Sequence, residues 1–139
     1  MLIQYNLIMI DFICYHNGSF KKESEVCISF KDLGFQRAYG VFDYLRTYQH
    51  KPFQKEWHAR KLINSLEKMN ISSNFDENSF LSVLGELFLK NTEFLHKNKE
   101  YGVKTIITGG VHSQVTILMY IEECDENYYS LMRENGVSL

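Results

Sequence analysis

The sequence predicts an α+β fold in which helices pack on one face of a single antiparallel sheet. Strand-like segments joined by short turn signals occur towards both ends of the chain. Two amphipathic helical segments lie between them. The length of 139 residues and the apolar share of 45% suit one domain with its own core. We therefore expect residues 1–139 to form a single domain.

The first predicted element is a β-hairpin. Residues 8–15 are rich in strand-forming side chains, and the Asn17-Gly18 pair that follows tolerates the positive φ angles of a tight turn. We expect the second strand over residues 25–30. Met9 is a second candidate for the translation start, which would make residues 1–8 an extension.

The middle of the chain predicts a strand, a turn and a helix. Residues 41–48 have strand character, and "QHKPF" has turn character. Residues 54–70 are helical, because apolar residues recur at steps of three and four. These residues are Ala59, Leu62, Leu66 and Met69. A helix would also align a polar row beside them, formed by His58, Lys61 and Ser65.

The remaining elements are a second helix, a strand pair and a short helix. Asn74 with Glu77 resembles a capping box, and the helical stripe that follows ends near Lys90. "VKTIIT" and "VTILMYIE" predict two antiparallel strands, with Gly109-Gly110 and "VHSQ" in the turn between them. Residues 126–134 predict a short helix that ends at Asn135-Gly136.

Composition excludes several classes of function. The formal net charge is −2 and charges of both signs are dispersed, which argues against nucleic acid or an acidic membrane surface as partner. The apolar start lacks a basic region and a cleavage site, so we expect neither a signal peptide nor a membrane span. Cys14, Cys27 and Cys124 are far apart, which favours free thiols in the cytoplasm and no metal site.

The segment "DLGFQRAYGVFDYLRTYQHKPF", residues 32–53, is unusual for a core strand because it combines two glycines with several charges. No motif of a self-contained enzyme is present in the chain. In order and spacing, however, a series of pieces resembles the small N-terminal domain of the class IV (fold type IV) pyridoxal-phosphate aminotransferases. The pieces are "YHNGSF", "DLGFQRAYGVFDYLRTY", "KPF", "HARKLINSL", "TIITGG", "VTILMY" and "RENGVSL".

That family includes branched-chain and D-amino-acid aminotransferases and aminodeoxychorismate lyase. The resemblance implies a homodimeric enzyme that uses pyridoxal 5'-phosphate to transfer an amino group between an amino acid and a 2-oxo acid. It also implies that the Schiff-base lysine lies beyond Leu139, in a cofactor-carrying domain that this chain does not include. We therefore expect no catalytic residue in the chain, and no activity from the chain alone.

The resemblance also assigns a cofactor residue. The family has a helix that reads His-x-x-Arg-Leu, whose arginine binds the cofactor phosphate. Lys61 takes the arginine position here, and Arg60 lies about 100° away around the helix. A lysine can neutralise a phosphate as a point charge, without the bidentate fork of arginine. The competing interpretation is that both are surface charges of an amphipathic helix.

Substrate residues are implied in the segment "FQRAYGVFD", which lines the substrate pocket in the family. Phe42 would form an apolar wall, Arg37 would bind a substrate carboxylate, and Tyr39 stands where the family has aspartate. Asp43 and Arg46 are interpreted as a charge pair that braces the domain. The family pattern in this segment is usually Gly-Asp-Gly-Val-Phe-Glu. The differences of this chain from that pattern, such as Tyr39 in place of aspartate, leave the substrate class open.

The "TGG" turn is the last implied part of the site. Gly109 and Gly110 would let a carboxylate approach backbone N–H groups, and His112 would add polarity. A plain hairpin turn is the alternative. For the whole protein three other interpretations remain: a lyase of the aminodeoxychorismate lyase type, a non-catalytic binding or dimerisation module, and a structural domain with no ligand.

Overall fold

The computed structural model describes residues 10–136, apart from the side chains of residues 127–129 and 135. Six strands form one sheet in the order β2-β1-β6-β5-β3-β4, and every neighbouring pair is antiparallel. Two long helices pack on one face of this sheet. The α+β fold class with an antiparallel sheet is confirmed.

The N-terminal hairpin is tighter than the sequence suggested. Strands β1 (Ile13–His16) and β2 (Ser19–Lys22) are joined by Asn17-Gly18, which takes positive φ angles as expected. The expected second strand over residues 25–30 is wrong. A two-residue turn pairs His16 directly with Ser19, so the strand is complete before residue 25. Residues 23–25 form a short 3₁₀ turn instead.

A short helix that the sequence did not predict precedes the third strand. Helix α1 (Leu33–Arg37) begins at Asp32, whose carboxylate accepts a hydrogen bond of 2.7 Å from the Gly34 N–H. It ends at Ala38, which adopts a φ of 52°. Strands β3 (Gly40–Tyr48) and β4 (Lys51–Pro52) follow, which confirms the predicted strand over 41–48.

Both long helices form where the apolar periodicity predicted them. Helix α2 spans Lys55–Lys68 and helix α3 spans Glu77–Lys90. The predicted cap at Asn74 is wrong, because Asp76 immediately precedes α3 and accepts a hydrogen bond of 2.7 Å from the Ser79 N–H. A helix begins at the residue whose side chain can reach these first free N–H groups.

The C-terminal part contains the predicted strand pair and final helix. Strands β5 (Tyr101–Val111) and β6 (Gln114–Glu123) meet at a two-residue turn, and helix α4 spans Glu126–Asn135. The prediction that Gly109-Gly110 belongs to the turn is wrong. Both glycines lie within β5, beside an irregularity in its pairing with β6, and His112-Ser113 makes the turn with φ angles of 50° and 65°.

The core lies between the sheet and helices α2 and α3. Odd-numbered residues of β3 and β5 face the helices, because successive side chains of a strand alternate between faces. The even-numbered residues face the opposite side, which we call the open face. Within residues 10–136, no helix combines the length and apolar character needed to cross a membrane.

Candidate functional site

A shallow, mostly apolar depression of about 330 Å³ lies on the open face, and we call it the open-face pocket. Its size is within the range of small-molecule sites. The lining residues come from α1, the residue after it, β3 and β5. They are Gly34, Ala38, Gly40, Val41, Phe42, Lys104, Ile106 and Thr108.

Strand alternation explains how this pocket acquires an apolar floor. Phe42 lies opposite Ile106 in the β3–β5 register, and both side chains point away from the core. Phe42 is 66% exposed, and it lies in a part of β3 that pairs with β5 alone, because β4 reaches only Thr47 and Tyr48. Lys104 lies opposite Tyr44 on the same face. The pocket therefore combines an apolar surface with one cation.

Asp32 fixes the edge of the pocket. Its buried carboxylate accepts hydrogen bonds from the Gly34 N–H at 2.7 Å and from the Thr116 hydroxyl at 2.5 Å. Burial alone would raise the pKa of this carboxyl, but hydrogen bonds from Thr116, Thr108 and the backbone outweigh burial and lower the pKa. The charged carboxylate thus holds α1 against β5 and β6.

Gly34 permits the close contact between α1 and β5. A Cβ atom at this position would lie 2.3 Å from Cγ2 of Thr108, far inside van der Waals contact. The absence of a side chain therefore brings the backbone of α1 directly against β5. This contact gives the open-face pocket one of its walls.

A second cluster lies on the helix side of β3, around Asp43. The Asp43 carboxylate is only 1% exposed, and His58 Nδ1 lies 2.7 Å from its Oδ2. Lys61 Nζ lies 3.1 Å from its Oδ1. Because His58 and Lys61 are three residues apart on α2, the helix presents both to the same carboxylate. The polar row expected from the sequence thus becomes a charge cluster.

The expected pair of Asp43 with Arg46 is wrong. Residues three apart in a strand point to opposite faces of the sheet, so their side chains cannot meet. Arg46 instead pairs with Glu126 at the start of α4 and lies over the ring of Tyr48. Both residues do have a structural role, but with different partners.

Lys61 is better placed than Arg60 to bind an anion near this cluster. Its side chain is 49% exposed, and its ammonium group lies 5.3 Å from the ring centre of Trp57. Lys61 Nζ lies 3.1 Å from Asp43 Oδ1, and because an ammonium group has three protons, it can donate to a second acceptor as well. Arg60 is exposed.

The two implied substrate residues next to α1 have different environments. Arg37 is the last residue of α1 and is exposed to solvent, outside the lining of the open-face pocket. The Tyr39 hydroxyl lies 2.9 and 3.0 Å from the carbonyl oxygens of Met69 and Asn70, just beyond the end of α2, and its single proton bonds to these acceptors. Tyr39 thus links β3 to the end of α2.

The backbone N–H groups of both glycines in the "TGG" segment already have acceptors. The Gly109 N–H donates to the Tyr39 carbonyl at 3.0 Å, and the Gly110 N–H donates to the Thr108 hydroxyl at 3.1 Å. Both donors therefore have protein acceptors already. His112 is exposed at the hairpin turn.

Sequence reasoning missed three features of the site: the Asp32 network, the Asp43–His58 pair and Lys104. The signal for Lys104 was visible, because "VKTIIT" places one cation in an otherwise apolar strand. No comparable signal identified the Asp43 pair, since its partner lies 15 residues away on another element.

Comparison with known proteins gives one consistent result. No family model matches the chain. D-alanine aminotransferase of Staphylococcus aureus strain MSSA476 is 29% identical over 133 residues, and aminodeoxychorismate lyase of Bacillus subtilis strain 168 is 25% identical over 132 residues. Each alignment covers 88% of this chain but 44% of the relative. The chain thus spans less than half the length of these curated relatives.

Solved structures share the fold. The branched-chain amino acid aminotransferase from Escherichia coli aligns with a TM-score of 0.72 and 12% identity, over 81% of this chain and 41% of that one. A hypothetical aminotransferase from Mycobacterium tuberculosis, in its PLP-bound form, aligns with a TM-score of 0.71 and 16% identity. That alignment covers 87% of this chain and 43% of the M. tuberculosis chain.

The architecture is therefore that of the small domain of fold type IV transaminases. The curated relatives add sequence similarity to this likeness of fold. The chain is related to the fold type IV pyridoxal-phosphate enzymes, the group of the branched-chain and D-amino-acid aminotransferases and aminodeoxychorismate lyase.

Proposed function

We propose that this chain acts as the small-domain half of a pyridoxal-phosphate enzyme that transfers an amino group between an amino acid and a 2-oxo acid. The observation that carries the proposal is the alignment of 88% of the chain with the S. aureus D-alanine aminotransferase. The Schiff-base lysine would come from a second domain that is not among these 139 residues. The chain alone is accordingly expected to be inactive.

The residues present fit the phosphate of the cofactor at one position. Lys61 offers a half-exposed ammonium group that pairs with Asp43 and has further protons for a second acceptor. His58 supports the arrangement, because its contact with Asp43 Oδ2 leaves Oδ1 to the lysine. A phosphate here would gain charge neutralisation from Lys61, and further donors would have to come from the second domain.

Each part of the chain would then have a defined task. Pyridoxal phosphate supplies the electron sink of the reaction when it is bound. Lys61 would bind the phosphate, and the buried Asp43 would fix the position of the Lys61 ammonium group. Phe42 and Ile106 would exclude water from one side of the substrate and orient its apolar part.

Aminodeoxychorismate cleavage is the second candidate function. The B. subtilis aminodeoxychorismate lyase aligns with the same share of this chain as the S. aureus aminotransferase does, and at a similar identity. A binding or dimerisation module without catalysis is the third candidate. It would use the same open face without any cofactor.

The test compares the 139-residue chain with the longest protein that its gene encodes. We expect the chain alone to be colourless and inactive, and the longer protein to bind pyridoxal phosphate. The longer protein should transfer amino groups from L- or D-amino acids to 2-oxo acids, and cleavage of aminodeoxychorismate would favour the lyase instead. A gene product that ends at Leu139 and binds no cofactor would contradict both enzyme functions and favour the module.

Two variants of the cofactor-binding protein test the assignment of Lys61. Lys61→Met should weaken pyridoxal-phosphate affinity, whereas Lys61→Arg should retain it because the positive charge remains. Arg60→Met is the matched control, since it removes a charge one residue away on a different side of α2. Equal affinity in the Lys61→Met and Arg60→Met proteins would exclude Lys61 from the phosphate site.

A further inference from the structure

A second depression, of about 350 Å³, lies beside β1 and β6, and we call it the Glu23 pocket. Its floor belongs to the open face, because Leu118 of β6 lies opposite Ile106 of β5 in the register. Tyr120, two residues further along β6, is on the same side. Lys104, opposite Tyr120 in that register, lines the open-face pocket instead. The lining residues of the Glu23 pocket are Cys14, Glu23, Val26, Ile106, Leu118 and Tyr120.

Glu23 is the acidic residue of this pocket. It begins the 3₁₀ turn Glu23–Glu25 that follows β2, and its N–H donates to the Phe12 carbonyl at 2.9 Å. The Val26 N–H donates to the Glu23 carbonyl at 3.1 Å, so the backbone of Glu23 is held on both sides. The residue is partly buried, and within residues 10–136 its carboxylate makes no hydrogen bond and no ion pair. A fixed backbone therefore holds an unpaired carboxylate at the pocket.

Two further carboxylates lie near Glu23. Hydrogen bonds from the Ser24 N–H and hydroxyl, at 3.0 and 2.7 Å, lower the pKa of Asp11 and keep it charged. Burial, and then the negative charges of Asp11 and Glu122, raise the pKa of the Glu23 carboxyl. The negative charge of Glu23 is therefore disfavoured by its surroundings, and a cation beside it would relieve that effect.

The other titratable groups near Glu23 do not supply this cation. Lys21 and Lys22 directly precede Glu23 in the chain, yet neither forms an ion pair with its carboxylate. Burial raises the pKa of the Cys14 thiol and of the Tyr120 phenol, so both stay uncharged at neutral pH. The lining of the pocket is thus apolar or uncharged apart from one carboxylate.

An organic ammonium group suits these surroundings better than a metal ion does. A calcium ion takes about six to eight oxygen ligands. In the described part of the chain, no group of three or more His, Cys, Asp or Glu residues could hold a metal ion. An ammonium group, in contrast, forms short charge-assisted hydrogen bonds with a single carboxylate. Val26, Ile106 and Leu118 would bury the hydrocarbon attached to it.

We propose that the Glu23 pocket binds a small organic amine, with the ammonium group on the Glu23 carboxylate and the hydrocarbon part on Val26, Ile106 and Leu118. The pocket volume of about 350 Å³ is near the lower size limit for small-molecule sites, so it suits an amine of a few carbon atoms. The site differs from the open-face pocket in the sign of its charge and in its place beside β1 and β6. It does not depend on the proposed function.

The test titrates the 139-residue chain with 3-methylbutylamine and, separately, with the uncharged 3-methylbutan-1-ol, at neutral pH and constant ionic strength. Backbone amide signals are followed by NMR. We expect the amine to shift the signals of Glu23, Val26 and Leu118, and the alcohol to bind about tenfold more weakly. Ammonium chloride should cause no comparable shift, because it has no hydrocarbon part to bury.

Variants of Glu23 test the role of its charge. Glu23→Gln should reduce the affinity for the amine to that of the alcohol, whereas Glu23→Asp should keep a preference for the amine because the charge remains. Glu93→Gln is the matched control, since it removes an exposed carboxylate that follows α3 and should leave the affinity unchanged. Each variant must give the same dispersed spectrum as the unaltered chain before titration. An unchanged affinity for the amine in Glu23→Gln would overturn the assignment.

The pKa of Glu23 is a second measurement, and it needs no variant. A bound ammonium group favours the charged carboxylate, so the pKa of Glu23 should fall when the amine saturates the chain and should stay in place with the alcohol. The side-chain carboxyl carbon signal of Glu23, followed against pH, measures this change. Equal binding of amine, alcohol and ammonium chloride by the unaltered chain, or a Glu23 pKa that the amine does not lower, would also overturn the assignment.

The titration contains no pyridoxal phosphate, so its outcome is separate from that of the cofactor test. A longer protein that binds no cofactor would leave the amine site standing. A chain that binds no amine would leave the enzyme proposal standing without this site.

Discussion

Asp32 is the residue whose charge matters most for the shape of the open-face pocket. It is buried, it begins α1, and it joins that helix to the β5–β6 hairpin through Thr108 and Thr116. Its lowered pKa means that the folded state favours the charged form of the Asp32 carboxylate. Its contribution to stability is therefore complete above the ordinary carboxyl pKa of 3.8 and is lost as the pH falls through the lowered value.

Asp32→Ala should destabilise the fold by about 2 kcal/mol at pH 7, because buried donors lose their acceptor. The difference from the unaltered chain should shrink as the pH falls below 3.8. Urea unfolding at a series of pH values measures both effects. Glu93→Ala, at an exposed position, is the control and should change stability by less than about 0.5 kcal/mol. A loss that is independent of pH would contradict the role of the charge.

The charge cluster of Asp43, His58 and Lys61 shows what residue-level reasoning could and could not predict. The step of three between His58 and Lys61 predicted that they share one row of α2. That Asp43 would meet this row depended on how β3 and α2 pack, which the local pattern does not contain. The Asp43–Arg46 pair failed because strand alternation separates its members.

The β5–β6 hairpin is the element in which glycine is a geometric requirement. Gly110 has a φ of 63°, and a Cβ atom there would lie 1.6 Å from the carbonyl oxygen of Gln114. Both facts exclude any side chain without a change in the backbone. The glycine was visible in the sequence, but its position inside the strand was decided by the pairing of β5 with β6.

Gly110→Ala should destabilise the chain by at least about 2 kcal/mol, because the left-handed conformation and the clash both oppose the methyl group. Gly85→Ala is the matched substitution, since Gly85 lies in α3 with nothing within 4 Å of its Cβ position. It should stabilise the chain by about 0.8 kcal/mol through helix propensity. Thermal unfolding of both proteins checks this prediction. A change in stability in the same direction for both substitutions would contradict it.

At the scale of the whole molecule, the two faces of the sheet are buried to different extents. Helices α2 and α3 bury one face, whereas the other retains exposed aromatic residues on and beside the pocket. Phe42 lies on this face, and Phe35 of α1, the helix that forms one wall of the pocket, is 77% exposed. Exposed apolar clusters of this kind mark interaction surfaces, and we expect a second copy of the chain to cover this one.

Light scattering after size-exclusion chromatography should show that the average molar mass in solution rises with the concentration of the chain. Phe35→Ser should shift this equilibrium towards the monomer by removing apolar surface from the contact. Leu89→Ser is the control, because Leu89 is 76% exposed on α3, a helix that packs on the opposite face. A monomer at all concentrations, or an equal effect of both substitutions, would argue against an interface on the open face.

The sequence by itself determined the fold class, the long helices α2 and α3 and the three strands β3, β5 and β6. These elements have apolar periods of 3.6 or 2 residues, which local chain geometry alone makes visible. The family resemblance followed from the order of short segments. It did not depend on knowing which side chains touch.

The tertiary structure alone decided which charged groups meet. The partner of Asp43 on α2 and the partner of Arg46 on α4 both depend on contacts between elements far apart in the chain. Such contacts are determined by strand register and by the face on which a helix packs. A shift of the register by one residue would turn each side chain of the strand to the other face of the sheet. The sequence therefore shows which charges are present, and packing determines which remain free to bind a ligand.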